Sequence, residues 1–178
     1  MPPDKMINTN PRIRSFHFKA NKNFPNNKLP LLIYENAFKT GVQKKRVAAA
    51  VQKILNRNNW KNAWTNGIYG FHHYHSNTHE CLAIVSGSAR VIFGGTGGKS
   101  ILLSKSDLVI IPAGLAHKCT RPSKDLLCVG AYPRGAQYDM NLGTREELKK
   151  AKPRIAKLSR PGSDPLYGKE GFIQSFWK

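Results

Sequence analysis

From residue 67 to residue 132 the chain breaks into short apolar stretches separated by Gly, Ser, Pro and Asp. No other feature constrains the fold as much. Residues 67–75, 79–86, 89–94, 100–104, 107–111, 116–120 and 126–132 each read as a strand bounded by turn residues. Strands so closely spaced leave no room for helical crossovers. They suggest a sandwich or barrel rather than a series of βαβ units. The expected organisation is one domain over residues 1–178, with the barrel core at about 65–135, an N-terminal extension at 12–64 and a C-terminal extension at 136–178.

The flanks read differently. Residues 1–11 look like a loosely held arm, 12–19 like an edge strand, and Leu31–Tyr34 like a short apolar strand after a turn cluster. From Val42 to Asn58 the period lengthens: Val47, Val51, Ile54 and Leu55 share one helical face while Lys44, Lys45, Lys53 and Arg57 fall elsewhere. Gly41 opens this amphipathic helix and Asn58-Asn59 closes it. Near the C-terminus TREELKK reads as a short helix with Thr144 as N-cap and Glu146-Glu147 in its first turn. The tail carries Phe172, Ile173, Phe176 and Trp177, more apolar surface than an exposed terminus usually shows. It is expected to dock on its own barrel or on a second copy, which makes a homodimer the expected assembly.

The formal net charge of +19 raises the question of a nucleic-acid partner. The excess sits in the flanks: residues 1–66 carry 13 basic and 2 acidic side chains, whereas 67–140 carry 7 and 4. No basic run is interleaved with stacking aromatics, and no helix-turn-helix or finger spacing occurs. A solvated basic surface is the better reading, with nucleic acid not expected as a partner. No apolar run is long enough to span a bilayer, so no membrane is expected either. Cys81, Cys119 and Cys128 are odd in number and form no CxxC pair, and the start MPPDKMINTNPRIR lacks an apolar leader. A cytoplasmic protein with free thiols is expected.

The glycine-rich GGTGGKS at 94–100 imitates a phosphate loop only in part. Phe93 stands where the motif needs its first Gly, and strand rather than helix follows, so a hairpin turn is expected. The chemistry lies in GIYGFHHYHSNTHECLAIVSG, residues 67–87. On a strand, alternation puts His73 and His75 on one face, with Tyr69 and Phe71 behind them. His72 and Tyr74 face the other way, and His72 and His79 are read as structural. Glu80 re-enters a strand across from the two imidazoles, and DLVIIPAGLAHKC delivers His117 from an adjoining strand. Neutral imidazoles with one carboxylate suit a divalent transition metal (Fe, Mn, Ni, Co or Zn) without selecting among them.

The spacing Gly67, His73-x-His75, Glu80, Gly87 resembles the first cupin motif, and Pro112-x-Gly114 followed by His117 resembles the second. Ser106 replaces the usual first Gly of that second motif, and Arg121 its terminal Asn. Further segments, NGIYGFHHYHSNTHE, IPAGLAHK, VGAYPRG and DPLYGKEGF, resemble the small bacterial YjlB-like cupins from about Lys28 onward. The resemblance implies an all-β fold, a double-stranded β-helix or jelly-roll barrel with a helix near the N-terminal third and a short C-terminal one. It implies one metal ion held by His73, His75, Glu80 and His117.

The expected function is a metal-dependent enzyme, of oxygenase or isomerase/lyase type, acting on a small molecule. Glu80 doubles as the candidate catalytic base, and a non-catalytic ligand-binding or sensor barrel is the alternative. Tyr69, Phe71 and Arg121 are the candidate substrate contacts. Stepping by two from His117 gives Cys119 and Arg121, which would put a guanidinium beside the metal and favour an anionic ligand. The other reading ends the strand near Thr120 and leaves Arg121 in solvent.

Overall fold

The computed structural model describes residues 3–40 and 43–178. Gly41 and Val42, expected to open the helix, lie outside the described residues, as do the first two residues of the arm. The strands are β1 Arg12–Phe18, β2 Asn27–Glu35, β3 Trp60–Asn66, β4 Glu80–Ser86, β5 Ser88–Phe93, β6 Lys99–Ser104, β7 Leu108–Ile111, β8 His117–Pro122 and β9 Leu127–Pro133. Helices are α1 Lys44–Arg57, α2 Arg145–Lys157 and α3 Ile173–Phe176.

All pairings are antiparallel. Six strands form one sheet in the order β1-β2-β7-β4-β9-β3, and three form a second in the order β6-β5-β8. The sequence order within the large sheet requires strands to cross over, as a jelly roll does. Strands β1 to β3 come from the segment read above as an N-terminal extension, so the sheets reach well upstream of residue 65.

Side-chain alternation on the large sheet feeds two apolar layers. Leu82 and Ile84 of β4 face inward with Ile33, Val91, Phe93 and Val109, filling the space between the sheets. Cys81, Ala83 and Val85 face outward with Leu32, Tyr34, Leu108 and Ile110. Over that outer face lies the stripe of α1, Val47, Val51, Ile54 and Leu55, all buried. A sheet covered on both faces reads as continuous apolar runs, and β4 and β7 are buried along their whole length.

Three expectations need correction. The described part of the N-terminal arm is docked, not loose: Met6 is buried, and backbone bonds run from Lys39 N–H to the Met6 carbonyl and from Asn8 N–H to that of Ala37. The strand placed at 67–75 lies one element earlier, at 60–66. Residues 67–79 instead cross the barrel mouth, making isolated bridges His73–His117 and Tyr74–Asn141. The C-terminal helix is longer than TREELKK and runs through Pro153. Its start is as expected, because Thr144 and Glu147 form a reciprocal capping box.

The tail docks on its own barrel. Ile173 and Trp177 are buried in the outer layer, and the indole N–H of Trp177 donates to the Pro30 carbonyl at 2.9 Å. Beneath it the buried carboxylate of Asp164 accepts from the Tyr34 hydroxyl and from the N–H groups of Leu166, Tyr167 and Ile173. Most of the tail's apolar surface is thus buried within the chain, with Phe176 left exposed. Among the described residues no helix is long and apolar enough to cross a membrane. The three cysteines are free and buried. GGTGGKS forms the β5–β6 turn, where Gly94, Gly95 and Gly97 adopt positive φ.

Candidate metal centre

His73 reaches the barrel interior because its backbone pairs with His117: each N–H donates to the other's carbonyl, at 3.1 and 2.9 Å. That bridge puts a segment that is not a strand into strand-like alternation. His73 and His75 therefore point inward while Tyr74 packs outward against Phe24. One nitrogen from each of His73, His75 and His117 lies within 4.8 Å of the others, and all three rings are buried.

The rings are oriented by backbone. Nδ1 of His73 faces the Phe71 carbonyl at 3.1 Å, Nδ1 of His117 faces that of Leu115 at 3.2 Å, and Nδ1 of His75 faces that of Asp139 at 2.5 Å. A carbonyl only accepts, so each Nδ1 carries the proton. The Nε2 lone pairs are left for the interior.

Glu80 opens β4 with its carboxylate beside two of these rings, His75 and His117, and outside the mutually close group of three nitrogens. Its Oε2 is buried, lies 3.5 Å from Nε2 of His75 and 3.4 Å from Nε2 of His117, and makes no well-formed hydrogen bond. Its other oxygen accepts from the Tyr132 hydroxyl at 3.0 Å, and that hydroxyl accepts from the indole N–H of Trp64 at 2.8 Å. Burial works to raise the Glu80 carboxyl, but the facing imidazoles of His75 and His117 hold it below the usual carboxylate range. Burial pushes His73 down to about 3, leaving it neutral at physiological pH. His75 is drawn upward by Glu80 against its own burial, so a proton and a metal ion compete for its Nε2. Three imidazole nitrogens, an unbonded carboxylate oxygen and second-layer carbonyl partners fit a divalent transition metal.

Above this cluster lies a cavity of about 460 Å³ whose floor includes His73, His75, Glu80 and His117. Tyr69 lines it, as expected. Phe71 does not: it stacks on Tyr69 from outside, ring centroids 5.0 Å apart, and remains exposed. Arg121 is not in the cavity either. Arg90 pairs with Arg121 but Val91 pairs with Cys119, so Thr120 is an extra residue, a bulge that turns Arg121 out to solvent. The inward reading of Arg121 is corrected accordingly. His79 accepts from the Ala113 N–H at 3.0 Å and packs on Trp177, outside the cluster.

Sequence reasoning missed Trp64, Tyr132 and Tyr138. Tyr138 stacks on Tyr132 and lies 4.6 Å from the His75 ring, centroid to centroid. Its loop also holds Asp139, whose carboxylate accepts from the Ser76 N–H and hydroxyl. The available signal was VGAYPRGAQYD itself, with two tyrosines flanking a turn, but no spacing rule ties them to the histidines.

The chain is 37% identical over 166 residues to the uncharacterized protein YjlB of Bacillus subtilis (strain 168), spanning 92% of this chain and 96% of that protein. No family model matches the sequence. Among solved structures, the sugar 3,4-ketoisomerase QdtA from Thermoanaerobacterium thermosaccharolyticum in complex with TDP aligns at 17% identity and a TM-score of 0.40. That alignment covers 53% of this chain and 75% of the other. Acireductone dioxygenase from Bacillus anthracis, with cadmium in its active centre, aligns at 18% identity and a TM-score of 0.39, covering 53% and 65%. A DUF861 family protein from Thermotoga maritima aligns at 24% identity and a TM-score of 0.31, covering 52% and 92%.

Proposed function

We propose a metal-dependent enzymatic role for this chain, which belongs to the YjlB-like family of cupins. Its ion is held by His73, His75, Glu80 and His117, and its substrate is a small molecule taken into the cavity above them. One observation carries the reading: three buried imidazoles, each held at Nδ1 by a backbone carbonyl, converge at the cavity floor, where the Nε2 atoms of His75 and His117 face an unbonded oxygen of Glu80. A buried carboxylate with one oxygen unbonded is costly, and a cation there would offset that cost.

A divalent ion would supply Lewis acidity toward substrate oxygens, chemistry suited to oxygenase or isomerase/lyase reactions. The chain's own residues do the rest. The carbonyls of Phe71, Leu115 and Asp139 hold the imidazole tautomers, and Tyr132 holds Glu80 by one oxygen. Glu80 is the candidate base, and the Tyr132 hydroxyl holds its other oxygen by a hydrogen bond. Burial and the nearby carboxylate both raise the Tyr132 phenol, which keeps it a donor at neutral pH.

The test is elemental analysis of protein purified without added metal or chelating resin. One transition-metal ion per chain is expected, lost in His75→Ala and in His117→Ala while the far-ultraviolet dichroism stays the same. Full metal content in both variants would overturn the ligand set. Turnover that disappears with chelator and returns with metal separates an enzyme from a binding barrel.

A further inference from the structure

We infer that the cavity takes an uncharged, hydroxyl-rich molecule of monosaccharide size, and not a phosphorylated or otherwise multiply anionic one. This rests on the metal reading above and adds the class of ligand.

The first observation is what the lining lacks. The chain carries 29 Lys and Arg residues, yet none is among the cavity-lining residues described. The strands that supply the lining, β3, β4, β8 and β9, carry Lys61, Lys118 and Arg121 as their basic residues, and all three lie outside it. Lys118 alternates away from His117, and the Thr120 bulge turns Arg121 outward. A phosphate taken into this cavity would lose its water and meet no guanidinium or ammonium in exchange.

The second argument is the charge that the proposed centre would carry. Three neutral imidazoles and one carboxylate around a divalent ion would leave only one net positive charge. That is too little to offset a phosphate dianion, and a neutral ligand needs no such offset.

The third is what the lining offers instead. Trp64, Tyr69 and Tyr138 present aromatic surface. Asn62, Asn66 and Gln137 add amides at the exposed rim. Asn62 donates to the Ala136 carbonyl and Asn66 accepts from the Gly67 N–H, which leaves the Asn62 oxygen, the Asn66 NH2 and the Gln137 amide to accept from and donate to hydroxyl groups. Flat apolar walls with a few two-way polar groups suit a ring whose faces are C–H and whose edge is hydroxyl. The volume of about 460 Å³ is within the range of small-molecule sites.

The experiment uses full-length, metal-loaded protein titrated with D-fructose, D-xylose and D-ribose, and with fructose 6-phosphate and ribose 5-phosphate. Binding is followed by calorimetry and by tryptophan fluorescence, with Trp64→Phe assigning the fluorescence change to the cavity. At least one neutral sugar should bind, and its phosphate should bind at least about tenfold more weakly. Tyr138→Ala should weaken the neutral sugar while leaving metal content unchanged. Tighter or equal binding of the phosphates, or no binding of any neutral sugar, overturns the inference and leaves the metal reading standing. Sugar binding that is undiminished in protein stripped of metal keeps the ligand class and overturns the role of the centre's charge, whereas the metal reading itself fails only on the metal content of the His75 and His117 variants.

Discussion

The hydroxyl of Tyr132 donates to Oε1 of Glu80 at 3.0 Å, and by occupying that oxygen it leaves Oε2 to face the Nε2 atoms of His75 and His117. A residue on β9 thus decides how a residue on β4 can ligate. In the proposed centre Glu80 would bind through one oxygen.

Tyr132→Phe removes the donor and leaves both Oε1 of Glu80 and the indole N–H of Trp64 without their partner. Loss of such an outer partner typically costs about 10–100-fold in metal affinity. Stripping a buried donor or acceptor costs about 1–3 kcal/mol of stability. Competition titration against a chromophoric chelator should show the first, and urea unfolding of the metal-free protein the second. Unchanged affinity would mean that Oε1 is held by something other than Tyr132.

Acid should loosen the tail through His79. Burial pushes this imidazole down to about 4, and its Nδ1 must stay unprotonated to accept from Ala113. The unfolded chain takes up the proton near the ordinary histidine value of about 6.5. The folded value is the lower one, so the stabilisation is fully present above about 6.5 and is lost as pH falls toward 4. The loss is on the order of 3 kcal/mol. Buried His73, pushed down to about 3, adds a contribution of the same sign. Metal-free protein should therefore melt at steadily lower temperature from pH 7 to 4.5, and His79→Gln should flatten that slope without abolishing it. Equal slopes for the two proteins would argue that His79 does not titrate in this window.

Deleting residues 172–178 removes two buried groups, Ile173 and Trp177, and the bond from Trp177 to the Pro30 carbonyl. Truncating a buried Trp alone typically costs about 3–5 kcal/mol. The expected result is a clear fall in melting temperature with no change in solution mass. A change in mass instead would show that the tail bridges two copies.

The histidine cluster was legible in the sequence because the spacing of its first two members is local. His73 and His75 are two residues apart, and the backbone bridge to His117 preserves their alternation even though residues 67–75 do not form the expected strand. Arg121 failed by the same logic: counting by two is valid only until a bulge, and Thr120 is one. β3 was invisible for a related reason. Lys61 pairs with Tyr132 and Trp64 with Gly130, so one extra residue near Asn62, which has positive φ, interrupts the alternation. Trp60 then faces the outer layer and Trp64 the interior, although an unbroken strand would put them on one face. The walls of the cavity depend on such register shifts and on contacts between distant strands, which no spacing in the sequence encodes.

The seat of Trp64 yields the last prediction. A Cβ at Gly130 would stand 2.2 Å from two carbons of the Trp64 indole and 2.6 Å from its nitrogen, so the absence of a side chain there lets the ring lie across β9. Gly130 does not need positive φ, so alanine is tolerated by the backbone and the whole effect is steric. In Gly130→Ala the indole must lift and give up its bond to Tyr132, a kind of overpacking that costs about 1–3 kcal/mol. Glu80 keeps its bond from Tyr132, so metal affinity should fall less than in Tyr132→Phe, while sugar binding at the displaced wall falls more. The two sites touch, so their effects should not add. In a Trp64→Ala background, Gly130→Ala should cost less than about 0.5 kcal/mol in urea unfolding. A full cost in that background would show that Gly130 is needed for something other than seating Trp64.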